Sequence, residues 1–583
     1  MHPMETAVVP RVSTASSRRL PRGPLLACAL LLPAAAVYGL FLLWPMAEVV
    51  WLSLFHWTGY GPKAFTGLSN YAALWNDTSF HGSVRHSLAW EGAAIAVPSL
   101  LGFGLALLLR RSRGHALILS VLFFPALLSP VVVSSIWVLM YSPATGLLDT
   151  VFRGLGIPAV DWLGNPSLAL PALFVAWFWG ATGVSGLILW VALGRIGREW
   201  LDIAAVEGAG PLWRLRHVIL PGVRRPAVLV LVINAALAFE VFDLVFVTTG
   251  GGPGYATMML PMEIYGRAFG GQAGSGAAVA TIQLIAGLLL ALAASRLFSG
   301  GESLDTGEPQ AIAARPAPTI LSGVVAAVWL LPLLWLLPLA LEPGQGLLIN
   351  GISFHPDRWN LANAGAVWQQ GFGGAMGESL GIAALVVAGT LLLSAPAAFA
   401  LSRLPARTAL LPGAILLAGL FQPTSALIIP LFSWLRDLGL LGSTWGVVLP
   451  EIARSIPLAV LILWAFLAQL PREVLEAAQV DGAGMVRLMV SIALPLTTPA
   501  LAAVGIWSFV SSWNEYLLPL LVWQDGSAQT VPGLLATFIG RSDTEVGLLA
   551  AGTLMATAPS LLVFLLLRHR AASGVAAAER TVA

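Results

Sequence analysis

Acidic and small residues recur in two matching blocks of this chain, and these residue types suit the docking of a partner protein. The blocks cover residues 198–210 and 472–484, and each is followed by Leu-Pro, at 220–221 and 494–495. The offset is 274 residues without a gap, and ten of the 24 positions from 198 to 221 are identical. Composition alone gives roughly two matches. We interpret the blocks as two equivalent docking surfaces.

The predicted docking residues share two properties: carboxylates can pair with cations of a partner, and small residues let it approach closely. In the first block they are Glu199, Asp202, Ala204, Glu207 and Gly208. In the second block they are Glu473, Glu476, Ala477, Ala478, Asp481 and Gly482.

The second block predicts a short helix, a tight turn and another short helix. Residues 473–479 are rich in strong helix formers, and Gly482 and Gly484 are typical of a helix C-terminus. Residues 485–493 are apolar enough to lie against the membrane face, and Pro495 then turns the chain into the next span. The result is a rigid, acid-tipped knob that projects from the membrane.

Composition places most of the chain's surface in lipid. Of 583 residues, 57% are hydrophobic and only 10% are charged, and the mean hydropathy is +0.84, whereas a soluble domain carries about 25% charged residues. The single cysteine, Cys28, excludes a disulfide framework. A net charge of +2 argues against nucleic-acid binding. No two histidines have the spacing of metal ligands, so we predict no metal site.

Apolar runs of about 20 residues, the length that crosses a bilayer, predict an all-α integral membrane protein with about twelve transmembrane helices in two parallel six-helix repeats. The first run starts near Cys28 instead of ending there, which indicates a membrane helix and not a cleaved signal. The predicted spans are residues 25–54, 87–109, 116–141, 168–193, 226–249, 276–298, 319–341, 378–402, 408–435, 444–469, 498–522 and 546–567. The predicted parts are a tail at 1–24, a first domain at 25–298, a polar linker at 299–318, a second domain at 319–567 and a tail at 568–583.

The arginines orient the chain in the membrane. With the N-terminus in the cytoplasm, 22 of the 30 lysines and arginines fall in inside segments, as the positive-inside rule requires. The other eight, which include Arg267 and Arg454, are expected outside or near the outer face. Both blocks and both termini then lie on the cytoplasmic side, and six spans per half make the halves parallel repeats.

The second block resembles the EAA motif of permeases from ATP-binding-cassette (ABC) importers. The resemblance lies in Glu476-Ala477-Ala478, in Asp481-Gly482-Ala483 and in the following Leu-Pro. In that family the loop forms a coupling helix that sits in a groove of an ATP-hydrolysing subunit. The first block departs from the motif, with Asp202-Ile203-Ala204 for the triplet and Glu207-Gly208 for Asp-Gly, which leaves open whether the first loop is fully competent.

Further stretches narrow the resemblance to the carbohydrate-uptake, maltose-type class. Residues 65–71, 239–243 and 248–254 are similar to permeases of the MalF type. Residues 513–516 and 530–534 are similar to permeases of the MalG type. Those two are normally separate chains, so the resemblance implies two permeases fused in one chain, with the transmembrane fold of a type I ABC importer.

The resemblance also implies an importer of a sugar or sugar derivative in a bacterial cytoplasmic membrane. Its expected partners are two ATPase subunits, which hold the ATP and magnesium, and an extracytoplasmic solute-binding protein. The chain itself has no Walker motif, because its only lysine, Lys63, is followed by Ala64. We therefore predict a transport permease that is not itself an enzyme and binds no cofactor.

Ionisable residues inside membrane spans are costly and often functional. Glu240 and Asp243 lie three residues apart on the predicted fifth helix, hence on one face, and Asn514 and Glu515 lie at a similar depth in the eleventh. These groups could accept hydrogen bonds from sugar hydroxyls; alternatively, the acids join the halves or line water at the outer mouth. Neighbouring aromatic side chains could stack on a sugar ring, and they are Phe239, Phe242, Trp513 and Tyr516.

Other functions fit parts of the sequence. A permease for a non-sugar solute remains an alternative. A proton-coupled secondary carrier could also have parallel six-helix halves, but it would not need paired acidic knobs. A membrane-embedded enzyme would need a nucleophile or metal constellation, which the scattered histidines do not supply. A structural scaffold would not explain intramembrane acids at matching depth.

Overall fold

The computed structural model describes residues 23–143, 145–299, 316–342, 357, 359–524, 526, 529–539 and 546–580. Most of the predicted N-terminal tail and of the linker at 299–318 therefore lies outside the described residues. Within them the chain is helical, apart from one short antiparallel hairpin that pairs Phe55–His56 with Ala64–Phe65. The predicted all-α membrane fold is confirmed.

Candidate membrane spans are of two kinds, single spans and bent helix pairs. Eight single spans are long and apolar enough to cross a bilayer: Ala29–Leu52, Thr78–Leu109, Ala169–Gly194, Ala273–Ala294, Pro316–Leu341, Ala362–Arg403, Thr444–Ala468 and Val546–Val563. Four more candidates are pairs of helices bent by 71° to 102°: His115–Leu127 with Pro130–Tyr141, Pro211–Gly222 with Arg224–Phe239, Arg407–Gly419 with Thr424–Asp437, and Met485–Leu496 with Thr498–Trp513. Counting each bent pair as one span gives twelve, the predicted number.

The remaining helices are short and connect or extend these spans. In the first half they are Ser69–Trp75, Leu147–Gly154, Arg198–Val206, Asp243–Thr249 and Leu260–Phe269. In the second half they are Arg472–Val480, Leu517–Val522 and Val531–Ile539.

Several predicted boundaries differ from the structure, and those of the second and last spans have a clear local description. The second span begins at Thr78 and not at 87, because the Asp77 carboxylate accepts the Ser79 backbone N–H at 2.8 Å and caps the helix. Polar residues over 78–86 hide this extension from a hydropathy criterion. The last helix runs from Val546 to Arg580, so it continues through most of the segment predicted as a tail.

The internal repeat extends well beyond the two blocks. Helix ends at Gly194, Val206 and Phe239 recur 274 residues later, at Ala468, Val480 and Trp513, and the spans that follow the blocks start at Arg224 and Thr498, again 274 apart. Each block also passes through a five-residue π-helix, Leu215–Ile219 in the first and Met489–Ala493 in the second. One local backbone design therefore serves both halves.

The first span of each half packs on the opposite half. The Tyr38 hydroxyl donates to the Ile415 carbonyl oxygen at 3.1 Å. In the other direction, the Trp179 indole donates to the Trp329 carbonyl oxygen at 3.0 Å, and Trp335 donates to that of Thr145 at 3.2 Å. These bonds cross between halves, and one continuous buried core contains residues of both. The halves therefore form one body with an interface that encloses the site.

Small and polar residues allow the spans to approach closely inside each half. A side chain at Gly102 would place its Cβ 2.6 Å from Cβ of Ser185 on the neighbouring span. The Asn234 amide donates to the hydroxyls of Ser99 and Ser185 at 3.0 Å each, which ties three spans together. Such contacts replace the hydrophobic effect, which does not drive helix association in lipid.

Candidate functional site

Each repeated block folds into a helix, a glycine turn and a second helical segment; we name residues 198–222 the first docking loop and residues 472–496 the second docking loop. Gly208 and Gly482 end the first helices with φ of +82° and +83°, a left-handed conformation that glycine adopts most readily. In both loops the residue after the glycine closes the turn: the Ala209 N–H donates to Ala204 O at 2.8 Å, and the Ala483 N–H donates to Ala478 O at 2.9 Å. The two turns are thus the same helix-ending motif.

The predicted docking residues divide between an exposed and a buried side of these helices. The exposed ones are Glu199, Asp202, Glu207, Gly208, Glu473, Glu476, Ala477, Asp481 and Gly482. Ala204 and Ala478 are buried, so their small side chains pack the helix against the rest of the protein. Val206 and Val480 stand at the two tips with 89% and 87% of their surface exposed. An apolar tip with acids around it is therefore presented twice.

A cavity of about 520 Å³ lies between the halves. Its walls come from the third, fourth and fifth spans of each half, and four of these spans are interrupted there, at residues 124–129, 240–242, 420–427 and 514–516. Broken backbone at membrane depth is tolerated where it lines a polar cavity, and such breaks recur at transporter binding sites. The interruptions therefore indicate that the cavity is the candidate path for a transported solute.

The prediction that Glu240 and Asp243 share one face of a continuous fifth helix is wrong. The helix ends at Phe239, and a new one starts at Asp243. Asn514 and Glu515 likewise follow the end of a helix at Trp513. Glu515 Oε1 accepts the N–H of Leu518 at 3.2 Å and so caps the next segment. All four side chains nevertheless line the cavity.

Arg454 is the residue that the sequence analysis misplaced. We expected it outside or near the outer face, but it lies inside the span Thr444–Ala468 and lines the cavity. Its guanidinium pairs with Glu515 and donates to Thr424 Oγ1 at 3.3 Å. Four carboxyl groups, those of Glu515, Glu240, Glu451 and Asp243, lie within its electrostatic range. The sequence does contain a signal for this position, because Arg454 falls in the middle of the predicted span 444–469.

The aromatic side chains at the cavity differ from most of those predicted. Phe242 lines it, but Phe239, Trp513 and Tyr516 are not among its lining residues in the described part of the chain. Trp513 is buried and stacks on Phe509, and Tyr516 packs near Phe246. The indoles at the cavity are instead Trp177 and Trp507. Hydropathy cannot tell which of 22 tryptophans face inward.

An ion-pair cluster at the far end of the first half from the first docking loop fixes the helix Leu260–Phe269. Arg267 pairs with Asp77 at the start of the second span and with Glu263 at 2.7 Å. Burial alone would raise the pKa of Asp77, but hydrogen bonds from Arg267, from Ser79 and from two backbone N–H groups lower it to about 2. Arg267 was expected on the outer side, and its two partners were not predicted.

Groups of three or more histidine, cysteine, aspartate or glutamate side chains that could hold a metal do not occur within the described ranges. The absence of a bound cofactor stays a prediction. A polar cavity enclosed by two equivalent membrane halves is the arrangement of a transport permease, and comparison with known proteins names the family.

Residues 312–572 match the family described as "Binding-protein-dependent transport system inner membrane component". The chain is 30% identical over 280 residues to the probable ABC transporter permease protein YurN of Bacillus subtilis, a match over 47% of this chain and 96% of the relative. It is 32% identical to the trehalose transport system permease protein SugB of Mycobacterium tuberculosis (44% and 94%) and 28% identical to the trehalose/maltose transport system permease protein MalF of Thermococcus litoralis (44% and 88%). This chain belongs to that family of ABC importer permeases.

Each relative covers less than half of this chain, as expected when two permeases are fused. A crystal structure of a bacterial alginate ABC transporter, in complex with a periplasmic protein bound to an alginate pentasaccharide, has 20% identity and a TM-score of 0.42, and the match covers 48% of this chain and 96% of that one. Permeases of this family are multi-pass membrane components and not themselves enzymes. They work with separate ATPase subunits and a solute-binding protein.

Proposed function

We propose that this chain contains both permeases of a sugar importer, with domains at 25–298 and 319–567, and that one ATPase subunit docks on each docking loop. The observation that carries the proposal is the duplicated turn: two helices that end on Gly208 and Gly482 with the same φ and the same closing hydrogen bond. Each loop continues directly into the fifth span of its half. A displacement of the loop can therefore move the cavity wall.

The cavity is the proposed path of the sugar. It meets the fifth spans of both halves at their interruptions, so the spans attached to the docking loops also carry Glu240, Asp243, Asn514 and Glu515. Carboxylate and amide oxygens accept hydrogen bonds from sugar hydroxyls, and Trp177 and Trp507 provide flat apolar faces for a sugar ring. The trehalose and maltose systems among the relatives support a sugar or a sugar derivative as the substrate.

The proposed assembly lies in a bacterial cytoplasmic membrane with both docking loops and both termini in the cytoplasm. A solute-binding protein delivers the sugar from outside, and two ATPase subunits, which bind ATP and magnesium, dock from inside. Closure of the ATPase dimer on ATP moves both docking loops together. Binding energy then biases the halves between outward-facing and inward-facing states.

The test is uptake of labelled sugar into vesicles that contain the full chain, an ABC ATPase that co-purifies with it and a solute-binding protein from the same organism. We expect uptake only with ATP and with both partners. Glu476→Lys, which reverses the charge of an exposed docking residue, should abolish stimulation of the ATPase. Its matched control is Arg487→Glu, the reversal of an exposed charge on the second segment of the same loop, outside the proposed docking residues.

Two results would contradict this function. One is accumulation of sugar, driven by a proton gradient, in vesicles that lack any ATPase, which would indicate a secondary carrier. The other is labelling of cysteines introduced at Asp202 and Glu476 by a membrane-impermeant reagent from outside the cell.

A further inference from the structure

Three nitrogen donors at the cavity, on Gln422, Asn514 and Arg454, are engaged within the protein. The Gln422 side-chain amide donates to the Ala418 carbonyl oxygen at 3.2 Å, and the Asn514 amide donates to the Leu127 carbonyl oxygen at 3.2 Å. Because carbonyl oxygens only accept, these bonds fix which end of each amide is nitrogen. The Arg454 guanidinium donates to Glu515 and Thr424. These three nitrogen donors are therefore not free to bind a ligand.

Acceptors of the same cavity are free. Gln422 is 3% exposed and its Oε1 has no hydrogen-bond partner among the described residues, and the same holds for Oδ1 of Asn514. Ser425, 2% exposed, also lines the cavity with an unpartnered hydroxyl. The Glu240 and Asp243 carboxylates form no ion pair with any described residue. Buried acceptors without a partner in the protein are positions where a ligand or water can donate a hydrogen bond.

The charged residues that line the cavity also favour a ligand that donates hydrogen bonds and carries positive charge. Three acids, Glu240, Asp243 and Glu515, face one arginine, and that arginine is paired with Glu515. The two carboxylates without an ion pair both belong to the first half, and both lie within the electrostatic range of Arg454. An unpaired carboxylate in a membrane interior favours a cation and repels an anion.

We propose that the cavity selects sugars that carry a protonated amine, with the ammonium group held by Glu240 and Asp243. Sugar hydroxyls then donate to Gln422 Oε1 and Asn514 Oδ1, and acidic sugars are rejected by charge. This inference depends on the proposed function, because it names the substrate class of the same path. It separates this chain from a permease for uronic acids or sugar phosphates.

The test is equilibrium binding to the purified full chain in lipid nanodiscs by isothermal titration calorimetry. Four disaccharides of similar size serve as probes: the glucosamine disaccharide, its N,N′-diacetyl form, maltose and digalacturonate. We expect the glucosamine disaccharide to bind at least about tenfold more tightly than either neutral sugar, since one lost charge contact of this kind costs a factor of ten or more. Digalacturonate should not bind.

Isosteric variants test whether Glu240 and Asp243 cause the preference for the glucosamine disaccharide. Glu240→Gln and Asp243→Asn, alone and together, should remove the preference for the glucosamine disaccharide, so that in each variant its affinity equals that of the diacetyl form within about twofold. Asp437→Asn removes a carboxylate from an exposed pair outside the cavity and serves as the matched control. Melting temperatures of all variants, equal to that of the parent, identify a change of affinity as local.

The outcomes are distinguishable. Equal affinity for charged and neutral sugars, binding of digalacturonate, or a preference that survives the double variant would overturn the ammonium site and leave a sugar path in place. Failure of all four sugars to bind would contradict both the ammonium site and the proposed path.

Discussion

The two halves of this chain share a backbone and differ in the side chains that it carries. Residues 194–239 and residues 468–513 have the same helix ends, glycine turns and π-helices at one offset of 274 residues. At the cavity the same offset pairs Arg454 with Gly180 and Glu515 with Val241. The ion pair thus belongs to the second half alone, and the first half contributes the unpaired acids Glu240 and Asp243.

This difference separates two tasks. Under the proposed function, two ATPase subunits that move together require two loops of the same shape, which accounts for the duplicated turn. A single sugar molecule is not two-fold symmetric, so its path gains from different groups on opposite walls. Symmetry is therefore retained at the proposed docking loops and lost at the proposed sugar path.

The largest effect is expected from variants that disrupt the glycine turn of one docking loop at a time, which tests whether the two loops are equivalent. Gly482→Pro should abolish ATP-dependent uptake, by more than about tenfold, because proline fixes φ near about −65° where the backbone needs +83°. It also removes the N–H that donates to Gln479 O at 3.0 Å. Gly208→Pro should have the same effect through the first docking loop. Uptake assays in vesicles measure both.

Gly484→Ala is the matched control in the same loop. Its φ is −68°, and nothing lies within 4 Å of the added Cβ, so uptake should stay at the parental rate. Normal uptake in Gly208→Pro combined with loss in Gly482→Pro would show that only the second docking loop transmits force, and the functional equivalence of the halves would be lost.

The next effect concerns the ion pair that only one half has. Arg454→Gly installs the residue of the first half and leaves Glu515, which is 7% exposed, without its cation. We expect a loss of about 3–5 kcal/mol in stability, measured by thermal unfolding in nanodiscs. Arg454→Gly with Glu515→Val copies both residues of the first half and should recover part of the loss. Full recovery is not expected, because Glu515 also caps the helix that starts at Leu517.

Arg436→Gly is the control for this pair. Arg436 forms an exposed ion pair with Asp437 at 3.0 Å, and such pairs contribute about 0–1 kcal/mol. A double variant at 454 and 515 that is less stable than Arg454→Gly would mean that burial of an unpaired Glu515 is not the source of the loss.

The sequence predicts the spans and the turns but not how the spans break. A run of about 20 apolar residues predicts a helix that crosses the bilayer. Glycines at equivalent positions, such as Gly208 and Gly482, predict the same turn. The interruption at Glu240 contains no proline or glycine, so hydropathy predicts an unbroken helix there. Its cause is tertiary, because the open backbone faces the cavity between the halves, where broken helices are tolerated. The pairing of Arg454 with Glu515, 61 residues apart, is likewise a product of packing.

A smaller effect should follow from the different apolar side chains of the docking loops. Trp200, 61% exposed, occupies the position of Val474 in the second docking loop. Trp200→Val should weaken binding of the ATPase subunit about fivefold to tenfold, because exposed tryptophans are frequent anchors of interfaces. Surface plasmon resonance with the chain in nanodiscs measures the affinity. Trp75→Val, at an exposed tryptophan in the segment between the first and second spans, should leave it unchanged; an equal loss there would contradict a specific anchor.

The smallest effect distinguishes the two ends that lie away from the docking loops. The first half ties its second span to the helix Leu260–Phe269 through the charges of Asp77 and Arg267, whereas the second half uses a neutral bond, Val531 N–H to Ser379 Oγ at 2.9 Å. The folded-state pKa of Asp77, about 2, lies below its ordinary value of 3.8. Its contribution is therefore full above pH 3.8 and is lost as the pH falls towards 2.

We expect Asp77→Asn to lower the stability by no more than about 1 kcal/mol at pH 6, since the carboxylate is partly exposed. The difference in melting temperature between the parent and this variant should shrink as the pH falls from 5 to 2. Ser379→Ala should show a deficit that does not depend on pH over the same range, because a hydroxyl does not titrate there. A deficit of Asp77→Asn that stays constant with pH would mean that Asp77 acts as a helix cap and not through the charge of its pair with Arg267.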